Sequence, residues 1–149
     1  MSKLEVIRAK VAYLDGLSEL FDGYRRYYQQ ESNLAAAREF LTERLHNDES
    51  VIFLALSEGK PIGFTQLYPS FSSVSMRRIW ILNDLFVAED ARRSGAGGAL
   101  METARRHAEE TNAKGLVLAT AHDNLAAQSL YERLGWKRDQ EFLHYELLV

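Results

Sequence analysis

The chain has 149 residues, of which 46% are hydrophobic and 26% charged, and its formal net charge is -3. This size and composition predict a single globular domain over residues 1–149 that can form its own core. The slightly acidic balance argues against a nucleic-acid partner, and the absence of cysteine excludes disulfides, thiolate metal ligands and a cysteine nucleophile. No segment approaches about 18 consecutive apolar residues, so we expect no membrane association and a cytoplasmic location.

The first half of the chain predicts a strand, two helices and three further β segments. Leu4–Ala9 alternates loosely, and apolar residues then recur at helical spacing from Leu14 to Tyr28. Asn33 is placed to cap a second helix, whose buried stripe would contain Ala37, Phe40, Leu41 and Leu45. The runs SVIFLAL and PIGFTQLYPSF flank the turn SEGK and predict a β-hairpin, and RRIWILNDLFV predicts the next strand.

The second half predicts two more helix and strand pairs. Leu100, Ala104, His107 and Ala108 mark a helix, and GLVLATA is typical of a strand in a sheet interior. A last helix begins after His122 or Asp123, ends at Gly135, and would bury Leu125, Leu130 and Leu134. FLHYELLV predicts a closing strand. This order indicates an α/β (α+β) sheet with helices on both faces.

Three glycines stand at the start of the third predicted helix, at Gly95, Gly97 and Gly98. A strand that enters a glycine-rich turn and then a helix N-terminus favours an anion site, because unpaired backbone N–H groups and the helix dipole point at the ligand. Missing Cβ atoms let phosphate oxygens approach, and Arg92 and Arg93 add positive charge. A flexible loop that merely tolerates glycine is the alternative.

The glycine spacing excludes two common nucleotide motifs. The P-loop pattern needs a lysine, but none lies between Lys60 and Lys114. The dinucleotide pattern G-x-G-x-x-G would need a glycine where this chain has Leu100. ATP, GTP and NAD are therefore disfavoured as ligands.

Two motifs resemble the GNAT superfamily of N-acetyltransferases. Arg92-Arg93-Ser94-Gly95-Ala96-Gly97 fits its R/Q-x-x-G-x-G/A signature, and DNLAAQSLYERLGW is similar to its later N…A…lYe.lGw helix. The resemblance covers almost the whole chain, in the expected element order, and is greatest to small polyamine, lysine-analogue and Hpa2-like members. It implies the GNAT fold, a mixed sheet of about six to seven strands in which the fourth and fifth splay apart.

The resemblance also implies acetyl-CoA as the acyl donor and no metal. In the family the loop amides hold the pyrophosphate, a strand amide contacts the acetyl oxygen, and a later helix lines the pantetheine arm. Asn124, Ala127 and Tyr131 are spaced to share one helix face. The matching cofactor-binding positions are Leu85, Phe86, Val87, Arg92, Arg93, Ser94, Gly95, Ala96, Gly97, Gly98, Asn124, Ala127 and Tyr131.

Amine acetylation by direct transfer needs an acid and a route for proton loss. By resemblance Tyr131 lies near the thioester sulfur and can protonate the departing thiolate. A lysine-like amine with a pKa of about 10.4 is almost entirely protonated at neutral pH, so its proton needs an acceptor. Asp84 could take it through water, and His122 is a second candidate. The alternatives are structural: Asp84 would orient the backbone of an irregular strand, and His122 would be an ordinary loop residue.

The two adjacent residues at the predicted general-base position differ from the polyamine-type pattern at the first of them. Those relatives carry glutamate followed by aspartate, whereas this chain has Asn83 and Asp84. Asn83, His122, Tyr27 and Trp80 are candidate substrate residues, with packing as the alternative for both aromatic ones. Tyr24 and Tyr28 lie on the apolar face of the first predicted helix and are interpreted as core or dimer packing.

The predicted function is therefore an acetyl-CoA-dependent N-acetyltransferase that acts on a primary amine. The acceptor would be a small amine, an amino acid or polyamine, or a lysine of a peptide or protein. A non-catalytic acyl-CoA sensor or regulatory domain is the alternative, because Asn83 replaces the glutamate. The resemblance also implies a homodimer.

Overall fold

A computed structural model describes residues 3–149 of the chain. The chain divides into two compact units, one ending at Ala119 and the other spanning Thr120–Val149. Within the described residues, the first unit contains the sheet, three α-helices and two short 3-10 helices (Val11–Tyr13 and Glu89–Ala91), and the second contains one α-helix.

The sheet of the first unit has five strands within the described residues, in the order β1-β2-β3-β4-β5. The first four pair antiparallel, and β4 and β5 pair in parallel. Alternating and continuous apolar runs form these strands because their side chains can be buried on one or both faces. The strands are β1 (Leu4–Arg8), β2 (Val51–Ser57), β3 (Lys60–Ser72), β4 (Arg77–Val87) and β5 (Gly115–Val117).

Helices cover both faces of this sheet, as predicted. The helices α1 (Leu14–Tyr27) and α2 (Leu34–His46) pack with Ile52, Leu54 and Phe64 in one core cluster. Helix α3 (Ala96–Glu110) covers the other face, where His107 lies 5.6 Å from Phe53 and 4.7 Å from Trp80 between ring centroids. Residues that alternate along β2 therefore serve two separate cores.

The local signal at the start of α2 is confirmed. The Asn33 side chain accepts a hydrogen bond of 3.0 Å from the Ala36 N–H and caps α2. Asp22 extends this cap, because its carboxylate accepts bonds of 2.7 Å each from the Ser32 hydroxyl and the Asn33 N–H. The buried stripe of α2 includes Ala37 and Leu41, whereas Phe40 is partly exposed.

The second unit contains α4 (Leu125–Arg133), whose C-cap residue Leu134 is followed by Gly135 with a φ of 94°, as the left-handed cap predicts. Its N-cap is Asn124 and not His122 or Asp123. Burial is predicted for Leu125, Leu130 and Leu134, but Leu125 is 70% exposed on the first turn of α4 and the other two are only half-buried.

The closing strand predicted for FLHYELLV is wrong, since the structure has no strand after β5 within the described residues. The apolar residues of this segment, including Leu143, Tyr145 and Leu147, are exposed. Alternation alone does not make a strand, because the backbone also needs a paired neighbour. The sheet consequently has five strands in place of the expected six to seven, although the fold class is confirmed.

Candidate active site

A β-bulge interrupts β4 at Asn83. Gln66 pairs with Asp84 and Leu67 pairs with Leu82, so Asn83 has no partner in the register. In a regular strand the side chains of residues 82 and 84 would point to the same face of the sheet. Because of the extra residue they point to opposite faces: Leu82 is buried on the α3 side, and Asp84 faces α1. The bulge therefore turns a carboxylate into the α1 face of the sheet.

Beyond the bulge, β4 separates from β5. Their parallel pairing covers only Ile79 to Ile81, and β4 continues to Val87 without a β5 partner among the described residues. The Ala88 N–H donates to the Ile62 carbonyl oxygen over 2.8 Å. Because antiparallel pairs alternate, Leu85 and Val87 direct their backbone groups away from β3. Within the predicted Leu85–Val87 stretch, Phe86 is thus the residue that bonds to β3.

Asp84 is a buried carboxylate that only neutral groups hold in place. It is 4% exposed and accepts hydrogen bonds of 2.6 Å from Gln66 Nε2 and 3.1 Å from Asn83 Nδ2. Burial raises the pKa of Asp84 above its ordinary value, against these hydrogen bonds and one from Tyr24, which lower it. No Lys, Arg or His in residues 3–149 forms an ion pair with it.

Three tyrosines lie close to this carboxylate. The Tyr24 hydroxyl donates to the Asn83 carbonyl oxygen over 3.5 Å, which places it beside Asp84. Burial and the Asp84 charge raise the pKa of Tyr24 far above its ordinary value. Burial, with the Asp84 charge added, raises the pKa of Tyr68 to about 12. The Tyr28 ring lies 5.1 Å from the Tyr24 ring, and burial raises the Tyr28 pKa as well.

The glycine loop has the geometry of an anion site. Gly95 precedes α3 with a φ of 88°, which only glycine adopts at low cost, and the Ala96 N–H donates to the Ser94 hydroxyl oxygen over 3.3 Å. The N–H groups of Gly97 and Gly98 have no hydrogen-bond partner within the described part of the chain. A Cβ atom at Gly98 would meet nothing within 4 Å, so a phosphate can approach these amides.

The two arginines beside the loop differ in their surroundings. Arg92 Nε donates to the Val87 carbonyl oxygen over 3.2 Å, and its guanidinium lies 5.7 Å from the Tyr27 ring centroid and 5.9 Å from that of Phe86. Tyr27, Phe86 and Arg92 together line an open cavity of about 520 Å³ between α1 and the segment after β4. Arg93 is exposed, with a φ of 68°. Arg92 is thus turned toward α1.

The second unit holds the remaining predicted positions. Asn124 accepts a hydrogen bond of 3.4 Å from the Ala127 N–H at the start of α4. The Tyr131 ring centroid lies 6.2 Å from that of Trp136, and Tyr131 is half-buried. His122 is exposed, and its carbonyl oxygen accepts a bond of 3.1 Å from Gln128 Nε2. Asn124 and Ala127 therefore have a local role in starting the helix.

Packing accounts for one of the candidate substrate residues. Trp80 is buried on the α3 face, and its Nε1 donates to the Thr111 hydroxyl over 2.9 Å. That face is opposite to the one that carries Asp84. Tyr27, in contrast, is exposed and lines the cavity near α1.

Sequence reasoning missed Gln66 and gave Tyr24 only a packing role. Gln66 is fully buried, and its Oε1 has no hydrogen-bond partner in residues 3–149. A glutamine inside the apolar run IGFTQLY was the available signal, since a buried amide in a strand needs partners. The contact between Tyr24 and Asp84 spans 60 positions of sequence, from 24 to 84, and has no local signature.

Two negative findings concern the described residues alone. None of the helices in residues 3–149 combines the length and apolar character needed to cross a bilayer. The same residues contain no group of three or more His, Cys, Asp or Glu side chains arranged to hold a metal ion.

Known proteins resemble this chain over most of its length. Residues 16–136 match the model of the acetyltransferase (GNAT) family. The chain belongs to the GNAT acetyltransferase family. This GNAT chain is also 50% identical over 146 residues to the uncharacterized N-acetyltransferase YhfO of Bacillus subtilis (strain 168), and the match covers 98% of each protein.

A second relative and a solved structure agree. A probable acetyltransferase of Haemophilus influenzae is 32% identical over 145 residues, covering 97% of both chains. The crystal structure of a probable acetyltransferase superposes with a TM-score of 0.93 at 44% identity, covering 97% of each chain. The GNAT chain is therefore an acetyltransferase, and its fold extends over nearly its full length.

Proposed function

We propose that this GNAT acetyltransferase transfers the acetyl group of acetyl-CoA directly to a primary amine. The observation that carries the proposal is that one segment, from the end of β4 to the start of α3, holds unpaired backbone N–H groups at both of its ends. The N–H groups of Leu85 and Val87, which point away from β3, are followed along the chain by the unpaired N–H groups of Gly97 and Gly98. A thioester and a pyrophosphate in one ligand need donors of this kind at both places.

The loop residues bind and orient the donor in this proposal. The amides of Gly97 and Gly98 bind pyrophosphate oxygens at the positive end of α3. Ser94, Gly95 and Ala96 shape the turn, and exposed Arg93 adds charge. Leu85 or Val87 donates an N–H to the acetyl oxygen, where negative charge develops as the amine attacks.

Two side chains handle protons. Acetyl-CoA supplies the activated acetyl group as a thioester. Asp84 accepts the proton that the acceptor ammonium must lose, because its carboxylate has no cationic partner among the described residues. Tyr131 donates a proton to the departing thiolate, the role that its family motif implies. The second proton that the nitrogen loses as the amide forms goes to solvent, and Tyr131 regains a proton from solvent. Asn83 and Tyr27 lie at exposed positions of the first unit and contact the acceptor, with His122 as a further candidate.

A thiol-release assay tests this function. The purified protein is mixed with acetyl-CoA and a panel of spermidine, lysine, an aminoglycoside and a lysine-containing peptide, and free CoA is quantified with a disulfide reagent. We expect thiol release that depends on one class of amine, together with a product heavier by one acetyl group.

Calorimetry on the same samples separates the competing functions. Acetyl-CoA binding without thiol release from any amine would favour an acyl-CoA sensor, which the burial of Asp84 makes a specific alternative. Absence of acetyl-CoA binding would contradict both functions. A homodimer and a cytoplasmic location stay predictions, the first testable by light scattering.

A further inference from the structure

The position of Asp84 raises a question of access. The side chain is 4% exposed, and Gln66 Nε2 and Asn83 Nδ2 donate to its two carboxylate oxygens over 2.6 Å and 3.1 Å. An acceptor amine in solvent has little direct contact with such a group. A base at this position therefore needs a second group that reaches both the amine and the carboxylate.

Tyr24 has the required position. Its hydroxyl donates to the carbonyl oxygen of Asn83 over 3.5 Å and so lies beside the carboxylate of the next residue, Asp84, and the Asn83 side chain is exposed. The half-buried ring of Tyr24 is held by rings of the core, at 6.1 Å from Phe21, 5.7 Å from Phe64 and 6.1 Å from Phe86 between centroids. The hydroxyl is thus fixed at the boundary between the aromatic core and the bulge.

The charges around the pair leave the carboxylate able to take a proton. The titratable groups that face it are Tyr24 and Tyr28 from α1 and Tyr68 from β3. None of these is a cation, and no described Lys, Arg or His pairs with Asp84. Asp22, by contrast, pairs with Arg26 at 3.4 Å. A carboxylate without a cationic partner gains most from accepting a proton.

Resting on the proposed function, we infer that Tyr24 relays the proton of the acceptor amine to Asp84. The Tyr24 oxygen accepts a proton from the ammonium nitrogen while its own hydroxyl proton passes to an Asp84 carboxylate oxygen. The nitrogen regains its lone pair, Tyr24 is neutral before and after, and Asp84 becomes a neutral acid. Asp84 returns the proton through Tyr24 to solvent after the acetylated product leaves.

Replacement of Tyr24 with phenylalanine tests the relay. Tyr24→Phe keeps the ring and its packing but removes the hydroxyl. With the panel amine that gives the highest rate, we expect kcat/KM to fall about 10²-fold near neutral pH. The loss should shrink as the pH approaches the amine pKa of about 10.4, because a neutral amine needs no base. A purely structural defect would lower kcat/KM by a similar factor at every pH.

Two further variants sharpen the test. Tyr28→Phe is the matched control, because Tyr28 packs against the Tyr24 ring but has no hydrogen bond to Asp84, and it should retain its rate at every pH. Tyr24→Phe combined with Asp84→Asn should be no slower than Asp84→Asn alone, since both changes interrupt one path. Acetyl-CoA affinity should be unchanged in all of them.

The outcomes distinguish failure of the proton relay from failure of the proposed acetyltransferase function. If the wild type acetylates an amine and Tyr24→Phe is equally active, or loses activity evenly across pH, the relay is wrong and the function stands. Additive losses in the double variant would also overturn the relay. If the wild type releases no thiol with any amine, the proposed function fails and the relay fails with it.

Discussion

Two buried carboxylates show how immediate surroundings decide the chemistry of a residue type. Asp22 and Asp84 are 5% and 4% exposed, respectively. The Ser32 hydroxyl, the Asn33 N–H and the charge of Arg26 lower the pKa of Asp22, whereas burial raises that of Asp84. Asp22 therefore stabilises the α1–α2 connection as an anion, while ionised Asp84 is held at a cost.

The two pKa shifts predict opposite effects of pH on stability. The native pKa of Asp84 is above its unfolded value, so its contribution to stability is full below the unfolded value and is lost as pH rises through the native pKa. We expect Asp84→Asn to raise the free energy of unfolding at about pH 8 and to change it little at about pH 4. Urea denaturation at both pH values measures the difference.

Asp22→Asn is the matched variant of opposite sign. Its native pKa lies below the unfolded value, so its contribution is present above the unfolded value and disappears as pH falls through the native pKa. Asp22→Asn should therefore lower the free energy of unfolding by about 1–3 kcal/mol at neutral pH, and by less in acid. Equal changes in both variants at about pH 8 would contradict this explanation.

At the scale of elements, the connection from β4 to α3 carries most of the proposed donor site. The strand ends at Val87, the loop turns through positive φ at Arg93 and Gly95, and α3 begins at Ala96. The two glycines after Ala96 weaken the helix by up to about 1 kcal/mol each relative to alanine. In the proposed donor site, the unpaired amides of both glycines and the open space around Gly98 allow a phosphate to approach the backbone.

Gly97→Val tests the loop as a pyrophosphate site. A branched side chain would crowd the amides of Gly97 and Gly98, so acetyl-CoA affinity should fall by about tenfold or more, equivalent to about 1.4 kcal/mol. Isothermal titration calorimetry measures the affinity. Gly59→Ala is the control: Gly59 lies in the β2–β3 turn with a φ of 82°, so its replacement should lower stability and leave acetyl-CoA affinity unchanged.

At the scale of the whole molecule, donor binding and proton donation are separable properties in the proposal: the glycine-rich turn lies in the first unit and Tyr131 in the second. Acetyl-CoA at about 100 times its dissociation constant should stabilise the native protein by about 2.7 kcal/mol. Catalysis should depend in addition on the Tyr131 hydroxyl.

Tyr131→Phe separates these two properties. We expect turnover to fall by about 10²–10⁴-fold, the range typical of a lost general acid, while acetyl-CoA raises the melting temperature as in the wild type. Thiol release and thermal unfolding with acetyl-CoA measure the two quantities. A fully active variant would assign the acid to water or another group, and a lost thermal shift would point to a binding role.

Elements with local signals were predictable from the sequence. The hairpin of β2 and β3, the strand β4, the Asn33 cap and the left-handed Gly135 each follow from spacing or from one residue's backbone preference. The glycine loop belongs with them, because its motif is contiguous. These features depend on interactions between residues that are close together in the chain, so one sequence is enough to predict them.

Features that depend on distant residues were not predictable. The Asn83 bulge exists only in the register between β3 and β4, and the missing closing strand reflects pairing that alternation does not encode. The contact of Tyr24 with Asp84 follows from α1 packing across the sheet face. By itself the sequence determined the acetyltransferase family and the glycine-rich turn before α3, since both rest on local pattern. Only the tertiary structure decided that Asp84 is buried and bonded to Gln66, because burial and long-range hydrogen bonds arise when separate elements meet.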